Sequence, residues 1–265
     1  MTTNIQLPTI HALWIGKQLG KMPNACLSSF IKQGHQVILH CYDEINDIPN
    51  GVQIADGNLI IPQDKIIKHK QTGSYALFSD IFRYELLRKV DGVYVDCDVY
   101  CLKPIIIPEH GYLFGFEDDT KINGAVLALP KNSELLNKLI EISYDTHFIP
   151  PWYPQKKQKR YRLKKYFGFS KHISEMPWGV IGPDAITYFA KYFKVDKFAQ
   201  DIDIFYPVHY NQVSMLCNGH LELNDITTRR TLCIHLYNEM LRHINPNELN
   251  QNSFLYKILN NISIL

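Results

Sequence analysis

Residues 79–104 read SDIFRYELLRKVDGVYVDCDVYCLKP, and the fold of the chain is decided by how this stretch is read. Its second half is a short apolar run, Val93-Tyr94-Val95, that ends in Asp96-Cys97-Asp98. A run of that length predicts a buried strand, so two carboxylates stand where the strand meets the surface. Open α/β sheets place their chemistry at such strand ends. The first half, from about Ser74 to Val90, has helical spacing: Phe78, Ile81, Phe82, Leu86 and Val90 face a core, while Asp80, Arg83 and Tyr84 share a neighbouring face. Asp91-Gly92 is a turn pair that stops the helix.

Side chains one residue apart on a regular strand point to opposite faces. Asp96 and Asp98 therefore serve one ion only if the chain turns between them. Hard divalent cations such as Mg²⁺ or Mn²⁺ take oxygen ligands of this kind and complete their shell with substrate phosphates, which makes a nucleoside diphosphate the natural third party. By itself Asp-x-Asp is a weak motif, and two solvated turn carboxylates are the commoner account of it.

The stretch 79–104 resembles the sugar-binding, Asp-x-Asp region of the glycosyltransferases of family 32, with Asp91-Gly92 standing where that family usually has Gly-Gly. The resemblance implies an α/β chain of GT-A fold, a Rossmann-like mixed sheet flanked by helices, acting on a nucleotide-sugar donor with Mn²⁺ or Mg²⁺ and retaining the anomeric configuration. It further implies that Asp80 and Arg83 hold the donor sugar, that Tyr94 lies beside the donor, and that Asp96 and Asp98 hold metal and diphosphate. Ile10 to Gly16, IHALWIG, resembles the family's strand before the base pocket. Trp14 then stacks on the nucleobase and the Gly16 backbone approaches the nucleotide; a strand tryptophan is also ordinary core. Asn123, in Ile122-Asn123-Gly124 before the run AVLALP, resembles the family's asparagine close to the reacting sugar, although Asn-Gly is also common turn chemistry. His235 interrupts the apolar run Thr231 to Tyr237 where related enzymes supply a third metal contact, with Asn238 a weaker candidate; a core histidine is the alternative.

The other elements follow from pattern. A helix over Met22 to Gln33 has Pro23 in its first turn, and Gln36 to Cys41 reads as the second strand. Residues 45–72 read as loops and short elements. Tyr112 to Glu117 reads as a strand, Ser133 to Tyr144 as a helix, and Asp184 to Phe193 as a helix after the Gly182-Pro183 loop. At 265 residues, with 46% apolar and 20% charged residues, the chain fits a single GT-A domain spanning 1–265. A basic, aromatic insert is expected over 146–178 and a helical tail over 245–265. The six cysteines lack metal-type spacing and read as reduced core thiols.

Between Asp145 and Glu175 there is no acid, yet eight bases, Lys156 to Lys171, alternate with Trp152, Tyr153, Tyr161, Tyr166, Phe167 and Phe169. Removing those eight from the chain's 28 leaves 20 against 26 acids, a net charge of −6. Basic residues beside aromatics suit an anionic membrane surface or a phosphate-bearing acceptor; a solvated loop is the plain alternative, and no nucleic-acid fold is recognised. With no targeting segment and no apolar run of membrane-spanning length, the expected location is cytoplasmic, peripheral on the inner face of the cytoplasmic membrane. The expected acceptor is a glycan or glycolipid of bacterial lipopolysaccharide or capsule synthesis. Two rivals use the same residues differently: a haloacid-dehalogenase-like phosphatase with Asp96 as nucleophile, and a non-enzymatic membrane or polyanion adaptor built on the insert.

Overall fold

A computed structural model describes residues 6–245 and 248–264. Strands β1 (Ile10–Trp14), β2 (Val37–Cys41) and β3 (Val52–Asp56) run parallel, with helix α1 (Lys21–Lys32) between the first two. Helix α2 (Ala76–Lys89) then leads into β4 (Val93–Val95), which pairs in parallel with the other side of β1. Two further strands, β6 (Leu113–Phe116) and β7 (Ile122–Ala128), add antiparallel to give the order β3-β2-β1-β4-β7-β6. The chain winds outward from β1 to β3 and then returns to the far side of β1. Its direction reverses between β1 and β4, and the crevice above their C-terminal ends is the position where doubly wound sheets bind nucleotides.

β4 shows why a three-residue strand can be so apolar. Val93 and Val95 pack into the core that includes α1's Leu27 and Phe30, whereas Tyr94 points into the core built from α2, α3 (Glu134–Tyr144) and α5 (Pro183–Tyr192). Both faces of the sheet are covered, so alternation gives no polar face. Helix α2 is enclosed in the same way: Phe78, Phe82 and Leu86 are buried, and so are Asp80, Arg83, Tyr84 and Glu85 on the neighbouring side. The expected helix over 74–90 is therefore present, but its polar face is interior. α3 starts at Ser133, whose Oγ accepts from the Leu136 N–H at 3.2 Å, and it buries Leu135, Leu136 and Leu139 against α2 and α5.

A second, two-stranded antiparallel sheet pairs β5 (Val99–Cys101) with β8 (Cys233–His235). Around it a third core gathers Cys26, Tyr100, Leu216, Ile234, Leu236, Phe254 and Ile258, reaching from α1 to the late helix Phe254–Leu259. That helix lies within the expected tail; Pro246, Asn247 and Leu265 of the tail fall outside the described residues, as do residues 1–5 of the N-terminal stretch.

Three expectations change in detail. Residues 45–72 include β3, an edge strand with Gln53, Ile54 and Asp56 exposed. Asn123-Gly124 is not a turn, because β7 begins at Ile122 and runs through both. The basic stretch is not a loop: Gln155–Tyr166 forms helix α4, with no buried residue along it. Among the described residues no helix is long and apolar enough to cross a membrane. All six cysteines are free thiols, five of them buried.

Candidate functional site

The chain turns directly after β4. The Val99 N–H donates to the Asp96 carbonyl at 3.1 Å, and the Asp96 N–H donates to the Ala125 carbonyl on β7 at 2.9 Å. The Cys97 thiol, inside the turn, donates to the Leu13 carbonyl at the end of β1, tying the turn to the neighbouring strand. The turn brings Asp96 and Asp98 to one place, and β8 brings His235 beside them by pairing with β5 in a register that sets Val99 opposite His235. Ligand atoms of Asp96, Asp98 and His235 lie within 4.8 Å of one another. His235 Nε2 is 3.2 Å from Asp98 Oδ1, and the Asn238 N–H donates to Asp98 Oδ2 at 2.8 Å. Asn238 thus meets the cluster through its backbone.

Arg83 joins α2 to this cluster. Its Nη2 donates to Asp96 Oδ1 at 2.9 Å and lies 3.5 Å from Asp80 Oδ1, while the guanidinium sits over the Tyr94 ring, 4.8 Å from its centre. Ser79 Oγ and the Tyr94 hydroxyl are 2.9 Å apart. Two glycines make room for this packing. A Cβ on Gly124 would lie 2.6 Å from Arg83 Nη1, and one on Gly182 would lie 2.6 Å from both Asp80 carboxylate oxygens. The loop 176–182 closes over Asp80 and is fastened to α2 by the Tyr84 hydroxyl, which donates to the Ile181 carbonyl at 2.8 Å. Asp80, under this loop, is 7% exposed, and Arg83, between Tyr94, Asp96 and Gly124, is 5% exposed.

Burial raises Asp80 to about 7; Arg83 opposes this and Asp96 adds to it. Asp96 is likewise raised, by burial first, against the pull of Arg83. Burial works in the same sense on Asp98, but the His235 imidazole and the Asn238 N–H outweigh it and hold that carboxyl below its ordinary value. For His235, burial favours the neutral ring, yet Asp98 raises its pKa overall. Such opposed shifts within one cluster of carboxylates and imidazole mark a place built to hold charge.

The cluster suits a hard divalent cation. Two carboxylates and an imidazole form a donor set suited to Mn²⁺ or Mg²⁺, and His235 Nδ1 is buried without a hydrogen-bond partner among the described residues.

The remaining sequence candidates are placed as follows. Trp14 ends β1, half-buried, with its Nε1 donating to the Gln18 carbonyl at 2.9 Å, and Gly16 follows in the same loop at the switch point. Asn123 lies two residues before Ala125, whose carbonyl holds Asp96. Its amide is engaged by Glu117 Oε2 at 2.6 Å and by the Ala125 N–H at 2.7 Å, so it makes no direct bond to the cation cluster.

Two residues escaped the sequence reading. Glu117 is 7% exposed and sits against Asn123; an acid closing an apolar strand was its only signal. Tyr237, after β8, adopts a left-handed conformation (φ 49°, ψ 61°) with its ring 4.0 Å from that of His235. For a bulky residue this conformation costs about 1–3 kcal/mol and needs support from its surroundings. A hollow of about 680 Å³ is lined by Asp118, Asp201, Asp203, Gln212 and Thr228 among others, without Asp96, Asp98 or His235.

The sheet order and the carboxylate pair at its switch point define a glycosyltransferase-like α/β fold of GT-A type. Residues 15–114 match the family described as glycosyltransferase sugar-binding region containing DXD motif, a span that holds Gly16, α2, β4 and both carboxylates. Among solved structures, mouse xyloside xylosyltransferase 1 in its apo form is similar at 11% identity, covering 74% of this chain and 85% of its own, with a TM-score of 0.37. An active-site mutant of LgtC is similar at 10% identity over 70% of each chain, with a TM-score of 0.34. The apo bifunctional glycosyltransferase WbbM is similar at 9% identity, covering 99% of this chain but 51% of its own, with a TM-score of 0.41. No protein of curated description matches the sequence.

Proposed function

We propose that the protein is a metal-dependent, retaining glycosyltransferase of family 32 type that moves a hexose from a nucleotide-sugar, UDP-sugar favoured, to a glycan or glycolipid acceptor of bacterial lipopolysaccharide or capsule synthesis. The observation that carries this is that two contact pairs meet at the end of β4: Arg83 joins Asp80 to Asp96, His235 meets Asp98, and the ligand atoms of Asp96, Asp98 and His235 lie within 4.8 Å of one another. Asp96, Asp98 and His235 would hold Mn²⁺ or Mg²⁺, which when bound supplies Lewis-acid neutralisation of the departing diphosphate. Arg83 fixes the position of Asp96 and, with Asp80, orients the donor sugar. Tyr94 supports the guanidinium from below, Trp14 and Gly16 border the base, and Asn123 with Glu117 forms the polar wall on the β7 side. The 176–182 loop beside Asp80 would help to exclude water from a bound sugar.

Thermal-shift profiling of nucleotide-sugars with Mn²⁺, followed by donor hydrolysis, tests the reading. Turnover that needs Mn²⁺ and is lost in Asp98→Asn, with the fold retained, supports it. Full turnover in Asp98→Asn refutes the metal assignment, and phosphate-ester cleavage without nucleotide-sugar turnover points to the phosphatase reading.

The acceptor side is read from α4. None of its bases is buried, and its last residue Tyr166, with Phe167 and Phe169 just after it, is exposed, at 84%, 61% and 76% respectively. This knuckle suits an anionic lipid surface, where each Lys or Arg contributes about 1 kcal/mol. Peripheral attachment to the inner face of the cytoplasmic membrane, rather than nucleic-acid binding, is the corresponding proposal. Sedimentation with vesicles containing anionic lipid checks it; binding unchanged after neutralising Lys156 to Lys165 would refute it.

A further inference from the structure

Tyr237 stands in a place that packing alone does not explain. The residues on either side of it both bind Asp98: the Leu236 N–H donates to the Asp98 carbonyl at 2.8 Å, and the Asn238 N–H donates to Asp98 Oδ2 at 2.8 Å. The left-handed backbone at Tyr237 lies between these two bonds, so its side chain is fixed relative to the Asp96, Asp98 and His235 cluster. Its ring lies against His235, with centres 4.0 Å apart, and against Tyr210, 6.2 Å away. The residue is 9% exposed, yet its hydroxyl is buried and has no hydrogen-bond partner among the described residues. An unpaired buried hydroxyl is costly, and a phenylalanine would fill the same space without that cost. A proton donor left unpaired on a ring that packs against His235 has an anionic oxygen as its natural acceptor.

We infer that the Tyr237 hydroxyl is a substrate-contacting group that donates to a diphosphate oxygen of the nucleotide donor, fixing the diphosphate on the His235 side of the cation site. This rests on the proposed nucleotide-sugar reading of that site. The contact is to phosphate and not to the base, so it is indifferent to which nucleoside carries the diphosphate.

The test is Tyr237→Phe in the full chain, which keeps the ring and removes only the hydroxyl. Calorimetric titration with UDP and with GDP, each with Mn²⁺, is expected to show affinity for whichever diphosphate the native protein binds falling about tenfold to hundredfold. Mn²⁺ affinity without nucleotide and the melting temperature of the ligand-free protein are expected to stay the same or, for the latter, rise. Undiminished diphosphate affinity in the variant overturns the inference while leaving the nucleotide site standing. A fall in Mn²⁺ affinity alone assigns the residue to positioning His235 and also overturns it, as does a lowered melting temperature, which would show a partner within the fold. Failure of the native protein to bind either diphosphate overturns the inference and the underlying reading together.

Discussion

Replacing Gly182 by alanine places a methyl group where Asp80 now sits. The added Cβ would lie 2.6 Å from both carboxylate oxygens, and ordinary contact begins at 3.4 Å, so Asp80 or the loop must move by about 0.8 Å. Asp80 is 7% exposed and faces Met176 to Ile181 across a hollow of only about 10 Å³, which leaves it little room to retreat. A shift away from Arg83 would lengthen a contact that already measures 3.5 Å. Overpacking of this kind costs about 1–3 kcal/mol. Gly182 is also the residue before the first turn of α5, so part of any loss belongs to the helix end, where alanine is a poor cap. A double-mutant cycle with Asp80→Ala separates the two, since removing the carboxylate removes the clash and leaves the cap cost in place. Urea denaturation of the four proteins is expected to give a coupling of about 1–3 kcal/mol, with Gly182→Ala much milder in the Asp80→Ala background. Costs that add to within about 0.5 kcal/mol would refute the packing of this loop on Asp80.

The buried pair His11 and His40 sets a pH limit. His11 Nε2 is 3.2 Å from the Asp91 carbonyl and so carries the proton, His11 Nδ1 accepts from His40 Nε2 at 3.1 Å, and His40 Nδ1 is left bare and buried. Burial, then His11, lowers His40 to about 4, so this stability is complete above the unfolded value of 6.5 and is lost as pH falls from there toward 4. The loss is about 2 kcal/mol by pH 5, and His40→Asn is expected to flatten the fall between pH 7 and 5 in denaturation curves. Gly124→Ala would set a Cβ 2.6 Å from Arg83 Nη1 and 2.8 Å from Ile186 Cδ1, and should lower the melting temperature by several degrees; an unchanged temperature would contradict the seat described for the guanidinium. Ser133→Ala removes the α3 cap and is expected to cost about 1 kcal/mol by urea titration.

The region 74–98 was legible because its information is local. Helical spacing, a glycine turn and three apolar residues specify α2 and β4, and the need for a bend between Asp96 and Asp98 follows from the two-residue period of a strand. The resemblance, not the pattern, singled out His235, since an isolated histidine in an apolar run reads as core until β5 is known to pair with β8. β5 itself passed unread because Val99-Tyr100-Cys101 is too short to signal a strand alone. β3 was hidden by its exposure at the sheet edge, and α4 by its lack of an apolar stripe: Gln155–Tyr166 buries nothing, so periodicity had nothing to report. Glu117, Gly182 and Tyr237 owe their places to contacts between distant segments. Local pattern carries no record of such contacts.

Asp98 and His235 are 137 positions apart, and they meet only because β8 zips onto β5. During synthesis the acidic turn therefore leaves the ribosome long before its imidazole companion exists. Until β8 has been made and docked, the young chain has at most half a cation clasp, and the folding of the late segment acts as the step that arms the earlier one.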